Sequence, residues 1–153
     1  MKTFKVIIAG GRDFKNYNQL KNYCDKVLRS KIEEGYEIKI VSGTANGADK
    51  LGERYAKERV YEVLRFPADW NTYGKRAGYM RNKQMAENAD ACVCFWDGVS
   101  RGTKWMIEIA KEKELPLRVV RYEREIERWS SSLEVKWKTN ESQYWLMSAD
   151  FIF

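Results

Sequence analysis

Phe4-Lys5-Val6-Ile7-Ile8-Ala9-Gly10-Gly11-Arg12-Asp13 is the stretch on which the fold turns. Residues 4–9 are almost continuously apolar and rich in β-branched side chains. A strand with one wet face would alternate polar and apolar residues, so this run predicts a strand covered on both faces. Gly10-Gly11 stops it. Such a strand needs helices above and below, and the following segments supply them. Residues 17–34 place Leu20, Cys24, Val27, Leu28 and Ile32 at helical spacing, with Gly35 as the stop. Residues 37–41 predict a second strand ending in Ser42-Gly43.

The alternation then repeats. Ala48, Leu51, Gly52, Tyr55 and Ala56 make an apolar helix stripe. Residues 60–66 predict a third strand closed by Pro67, and residues 69–78 a polar loop. Residues 81–88 read as helix and 89–96 as a fourth strand. Residues 103–114 read as a helix with Trp105, Met106, Ile109 and Ala110 inward, and 117–120 as a fifth strand after Pro116. Strands alternating with helices mean a parallel sheet. The fold class is therefore α/β, a Rossmann-like parallel sheet with helices on both faces.

Composition fits that frame. A chain of 153 residues makes one domain with a small appendage and buries roughly 70% of its unfolded surface. The 44% hydrophobic and 33% charged fractions are those of a globular chain. Histidine is absent, which excludes Ser-His-Asp triads, Cys-His pairs and HExxH zinc helices. The three cysteines, Cys24, Cys92 and Cys94, are an odd set without a signal peptide, so a reducing cytoplasm is expected. Cys92 and Cys94 should share one strand face rather than hold zinc. No apolar run reaches the roughly 20 residues of a membrane span. No metal or other cofactor is expected.

In an open parallel sheet, ligands bind beyond the carboxyl ends of the strands. Four loops at those ends carry chemistry here. The first is Gly10-Gly11-Arg12-Asp13. The second is Ser42-Gly43-Thr44-Ala45-Asn46-Gly47-Ala48-Asp49, running into a helix. The third holds Asp69-Trp70 and continues to Arg81-Asn82. The fourth is Asp97-Gly98-Val99-Ser100-Arg101-Gly102-Thr103, again running into a helix. Glycines let the backbone approach an anion, and a helix's first-turn amides point at it with the positive dipole end behind them. Arg12, Arg81 and Arg101 are candidate phosphate clamps. Asp13, Asp49 and Asp97 are candidate acceptors for ribose hydroxyls. One such glycine turn has an ordinary steric explanation. Four on one sheet edge, each with Ser/Thr, Arg or Asp, point to a ligand.

These same residues carry a likeness. Residues 7–14, 41–49, 66–70, 74–82 and 95–103 resemble, in order, the motifs of the YspA-type, cpYpsA-related branch of the SLOG superfamily. The resemblance covers residues 4–120 and implies a Rossmannoid domain that binds nucleotides or nucleotide-derived ligands, ADP-ribose-like or cyclic. It implies a sensor or ligand-handling module of bacteria and their phages, working in the bacterial or host cytoplasm. The superfamily also holds phosphoribohydrolases of the lonely-guy type, with P-G-G-x-G-T-x-x-E. Here Gly102-Thr103-Lys104-Trp105 is followed by Met106 where that glutamate would stand. Glu108 lies about 200° further round the helix and should point away.

The reading is therefore a protein that binds a phosphorylated, ribose-containing small molecule at the carboxyl edge of the sheet. An N-glycosidic hydrolase or transferase is the second reading, and DprA-like nucleic-acid binding the third. Nucleic acid is the poorer partner because the +6 charge is concentrated. Lys75, Arg76, Arg81 and Lys83 fall within residues 74–84 with no acid among them. Residues 1–121 are expected to form the SLOG-like domain and 122–153 an extension with a short helix and a β-hairpin. The aromatics of the extension, Trp129, Trp137, Tyr144, Trp145, Phe151 and Phe153, read first as cover for the core. An oligomer contact is their alternative role.

Overall fold

The computed structural model describes residues 2–124 and Phe153. Five strands form one parallel sheet in the order β3-β2-β1-β4-β5: β1 Thr3–Gly10, β2 Glu37–Ser42, β3 Glu62–Arg65, β4 Ala91–Trp96 and β5 Leu117–Arg121. Helices α1 Tyr17–Glu33 and α2 Ala48–Arg59 follow β1 and β2. The short α3 Trp70–Tyr73, a 3-10 turn Gly74–Arg76 and α4 Ala77–Glu87 lead into β4, and α5 Arg101–Glu112 into β5. The α/β, Rossmann-like expectation holds.

The β1 run is covered from both sides, as its pattern requires. Val6 and Ile8 join Leu20, Cys24, Val27, Leu28, Tyr55 and Ala56 in one core layer, built with α1 and α2. Ile7 and Ala9 join Met85, Ala86, Met106, Ile109 and Ala110 in the other, built with α4 and α5. Cys92 and Cys94 do share that second face, with their sulfurs 3.6 Å apart. No cluster of three metal-ligating side chains occurs among the described residues. No helix among them is long and apolar enough to cross a membrane.

A bidentate ion pair fastens the two helices of the first layer. Asp25 on α1 accepts from Arg59 Nε at 3.0 Å and Nη2 at 2.5 Å, and from the Tyr55 hydroxyl at 2.7 Å. Arg59 and Tyr55 both come from α2. The Tyr55 hydroxyl is raised well beyond its usual range, first by burial and then by that bond to Asp25.

Several boundaries differ from the sequence pattern, each for a local reason. Val60 does not open β3. It takes the left-handed conformation at the end of α2, φ 62°, with its amide returning to Ala56 and Lys57, and is 90% exposed. Residues 69–78 are not all loop. The Asp69 carboxylate accepts the Thr72 amide at 3.1 Å and caps α3. α4 starts four residues earlier than the apolar spacing suggests, at Ala77. Its first turn is Ala77-Gly78-Tyr79-Met80, of which only Ala77 is buried, so no apolar stripe marks the start.

Past β5, residues 122–124 have no regular structure. Tyr122 nonetheless packs on Phe14, with ring centroids 4.9 Å apart, and its hydroxyl donates to Asp13. Phe153 packs on Phe4 at 6.0 Å, and its amide donates to the Val27 carbonyl at 3.1 Å. The expected helix beyond residue 124, the hairpin and the other extension aromatics lie outside the described residues.

Candidate functional site: a cleft at the switch point of the sheet

Strand order reverses between β1 and β4, and the chain leaves these two strands toward opposite faces. That divergence opens a crevice at their carboxyl ends. A cleft of about 430 Å³ occupies it. Ala9 of β1 and Met85 and Met106, both buried in the second core layer, lie along its wall. Gly10 and Gly11 form the β1 side. A side chain on Gly10 would run into Ala48 and the Phe95 backbone, so α2 and β4 approach too closely for any other residue.

Of the twenty residues singled out in the sequence, twelve line this cleft: Gly10, Gly11, Arg12, Asp13, Asp49, Trp70, Arg81, Asn82, Asp97, Ser100, Gly102 and Thr103. The other eight do not, and most have visible structural work. Ser42 is fully buried. Its hydroxyl donates to Glu53 at 2.8 Å and accepts the Thr44 amide at 3.1 Å. Gly43 gives its carbonyl to Arg81 Nη1. Thr44 turns the loop at φ 64°, and Asn46 is exposed at its tip. Gly47 starts α2 at φ 80°, against the backbone of Gly11 and Arg12. Asp69 caps α3. Gly98, at φ 89°, lies under the Arg121 guanidinium. Arg101 opens α5 but is exposed and stays off the cleft wall.

The polar groups on the wall are linked to one another. Arg81 Nε donates to Asn82 Oδ1 at 3.0 Å, and Asn82 Nδ2 donates to the Gly102 carbonyl at 3.2 Å. With the Arg81–Gly43 bond, this chain ties the loop after β2, through α4, to the start of α5. Asp97, almost fully buried, accepts the amides of Val99 at 2.9 Å and Ser100 at 2.7 Å. That turn sets α5 in place. The Trp96 indole donates to the Ser100 carbonyl at 3.1 Å and braces the same loop. Ser100 makes no side-chain cap, so the first-turn amides of α5 remain open toward the cleft.

Charge is distributed unevenly. Arg12, Lys75, Arg81 and Arg124 line the cleft with Asp13, Asp49 and Asp97. Asp49 accepts the Ala45 amide at 3.1 Å. Burial pushes its carboxyl up to about 6, against the lowering influence of that amide and of Arg81 and Arg12. Burial likewise pulls the Arg81 guanidinium below its ordinary value, with Asp49 opposing. Asp97 Oδ2 stands 3.6 Å from Arg124 Nε.

Sequence reasoning missed some of the wall. Lys75 and Gly78 stood in the basic run but were not singled out. Arg124 lies past β5, where no pattern leads to the cleft. Trp105 reads as core or pocket wall, and it takes the wall: it stands about 100° round α5 from Met106, is 36% exposed and lines the cleft. Glu108 is exposed, as expected, and Met106 occupies the cleft wall in its place.

The sequence model described as "YspA, cpYpsA-related SLOG family" matches residues 4–73, the span from β1 through α3. The chain is 32% identical over 120 residues to the Gene 61 protein of Mycobacterium phage D29, covering 74% of this chain and 93% of that one. Among solved structures, DNA processing protein A (DprA) of Streptococcus pneumoniae is similar with a TM-score of 0.61. That match covers 99% of this chain and 58% of DprA at 14% identity. DprA of Helicobacter pylori, described by its single-stranded DNA binding mode, gives 0.56 over 93% and 74% at 20% identity. TM1055 gives 0.53 over 76% and 72% at 20% identity. At such identities the three solved structures share the fold. The phage protein is similar in sequence as well, and the family model spans β1 to α3 with the glycine turns after β1 and β2; the chain belongs to the YspA, cpYpsA-related SLOG family.

Proposed function

We propose that this protein binds a phosphorylated, ribose-containing small molecule derived from a nucleotide, and senses or sequesters it. One observation carries the reading: the open N-terminus of α5 meets Arg12, Lys75 and Arg81 in the switch-point cleft. Amides and guanidinium groups hold phosphate oxygens. Asp13, with one carboxylate oxygen engaged by Tyr122, offers the other to ribose hydroxyls, while Asp97 holds the Val99 and Ser100 amides and faces Arg124. Holding is favoured over cutting because Met106, not a carboxylate, stands where the related hydrolases place glutamate. The phage relative supports action in a bacterial or phage-infected cell.

Calorimetry and thermal shift against NAD, ADP-ribose, cyclic ADP-ribose isomers and cyclic dinucleotides test this. At least one should bind, with Arg12→Ala or Arg81→Ala weakening it by about tenfold or more, the worth of a lost charged hydrogen bond. A flat panel would sink the proposal. Recovery of a cleaved product by chromatography would move the protein among the N-glycosidic enzymes. The likeness to DprA makes single-stranded DNA the third arm. Binding of DNA but no nucleotide, falling steeply with salt, would replace the small-molecule reading.

A further inference from the structure

Two indoles on the cleft wall belong to neither core layer. Trp70 is 50% exposed and Trp105 is 36% exposed, yet both line the cleft. α3 buries none of its four residues. It is capped by Asp69 and presents Trp70. The Trp70 ring packs beside Gly78 of α4, 3.4 Å from where a Cβ there would stand, an ordinary contact distance. Trp105 comes from the opposite connection, on α5, and the Tyr79 ring braces it edge-on at 5.9 Å. Both rings are held by neighbours and leave surface to the cleft.

From this we infer that Trp70 and Trp105 form a subsite for a planar aromatic ring, so that the ligand keeps its nucleobase. The inference rests on the preceding reading and narrows it. Ring faces stack on indole whatever their hydrogen-bond pattern. Trp105 follows Gly102 by three residues, about 4.5 Å along the helix axis at 1.5 Å per residue. A single ribose bridges that span, placing phosphate at the first turn of α5 and the base beside Trp105. A bare sugar phosphate would fill only the inner part of the cleft.

The probes are AMP, ADP-ribose and ribose 5-phosphate, measured by calorimetry on the full chain. AMP and ADP-ribose should bind at least about tenfold more tightly than ribose 5-phosphate, the scale of one stacked base. Trp70→Ala and Trp105→Ala should each cut that preference about fivefold or more while leaving ribose 5-phosphate binding unchanged. Trp105→Phe should restore most of it. Equal affinity for AMP and ribose 5-phosphate would overturn the subsite and leave the phosphate reading intact. So would tryptophan variants that weaken both probes alike, or that change the mass in light scattering with the ratio unmoved. Silence from all three probes would overturn the phosphate reading itself, and the subsite with it.

Discussion

At the scale of single residues, Asp49 is the most consequential side chain on the wall. Its carboxyl is buried, accepts one amide, and is pushed up to about 6. An unfolded aspartate titrates near 3.9. The folded state therefore holds the proton more tightly. That favourable contribution is complete below about pH 4 and is lost as pH rises through about 6. An asparagine at this position would keep the oxygen that accepts the Ala45 amide and would never ionise. Asp49→Asn should therefore leave stability unchanged near pH 4 and raise it by on the order of 2 kcal/mol above pH 6.5. Urea unfolding at several pH values reads the difference, and a pH-independent offset would contradict it. Asp49 was legible in the sequence as an acid near a helix start, but its burial was not. Beside it the Arg81 side chain crosses to the Gly43 carbonyl, a contact that joins residues 38 apart in the chain and leaves no local signal.

Elements meet most tightly where the loop after β1 touches the start of α2. Gly47, at φ 80° and ψ −127°, sits in a region that L side chains avoid. A Cβ there would also stand 2.6 Å from the Arg12 carbonyl carbon. Gly35, at φ 89° behind α1, has the same conformational demand with nothing within 4 Å. The pair separates strain from collision. Gly35→Ala should cost about 1–2 kcal/mol, the strain alone. Gly47→Ala should cost about 3 kcal/mol or more and lower Tm by roughly 6–12 °C, because α2 must move off the loop. Equal losses in thermal scans would mean that the loop yields. The strands and long helices were legible because buried parallel strands and amphipathic helices leave strong periodic signals. The connection between β3 and β4 was not, since α3 faces solvent and has no apolar stripe to read. The eight singled-out residues that miss the cleft follow the same logic. Sequence shows that a loop is rich in glycine, serine and aspartate. It does not show which of these turn the loop, as Ser42 and Gly47 do, and which face the ligand.

For the whole molecule, the stretch beyond β5 touches the sheet at both ends. Tyr122 reaches the carboxyl edge, donating to Asp13 beside the cleft. Burial, followed by that bond, raises its hydroxyl well above the usual tyrosine range. Phe153 reaches the amino end, against Phe4 near the start of β1, with the Arg118 guanidinium 5.0 Å over its ring. Stability and ligand binding should therefore separate between these two contacts. Phe153→Ala removes half-buried ring surface and a cation–π contact at the end of the sheet away from the ligand. It should cost about 1–2 kcal/mol of stability and leave the affinity for any cleft ligand within twofold. A proposed domain boundary at residue 121 would make Phe153 dispensable to the fold. Unfolding curves for this variant, compared with the parent at one denaturant series, decide between those outcomes. An unchanged midpoint would mark the stretch beyond β5 as an appendage. The expected fall would make residues 1–121 together with Phe153 one cooperative unit, its core completed by a ring that lies far beyond β5 in sequence.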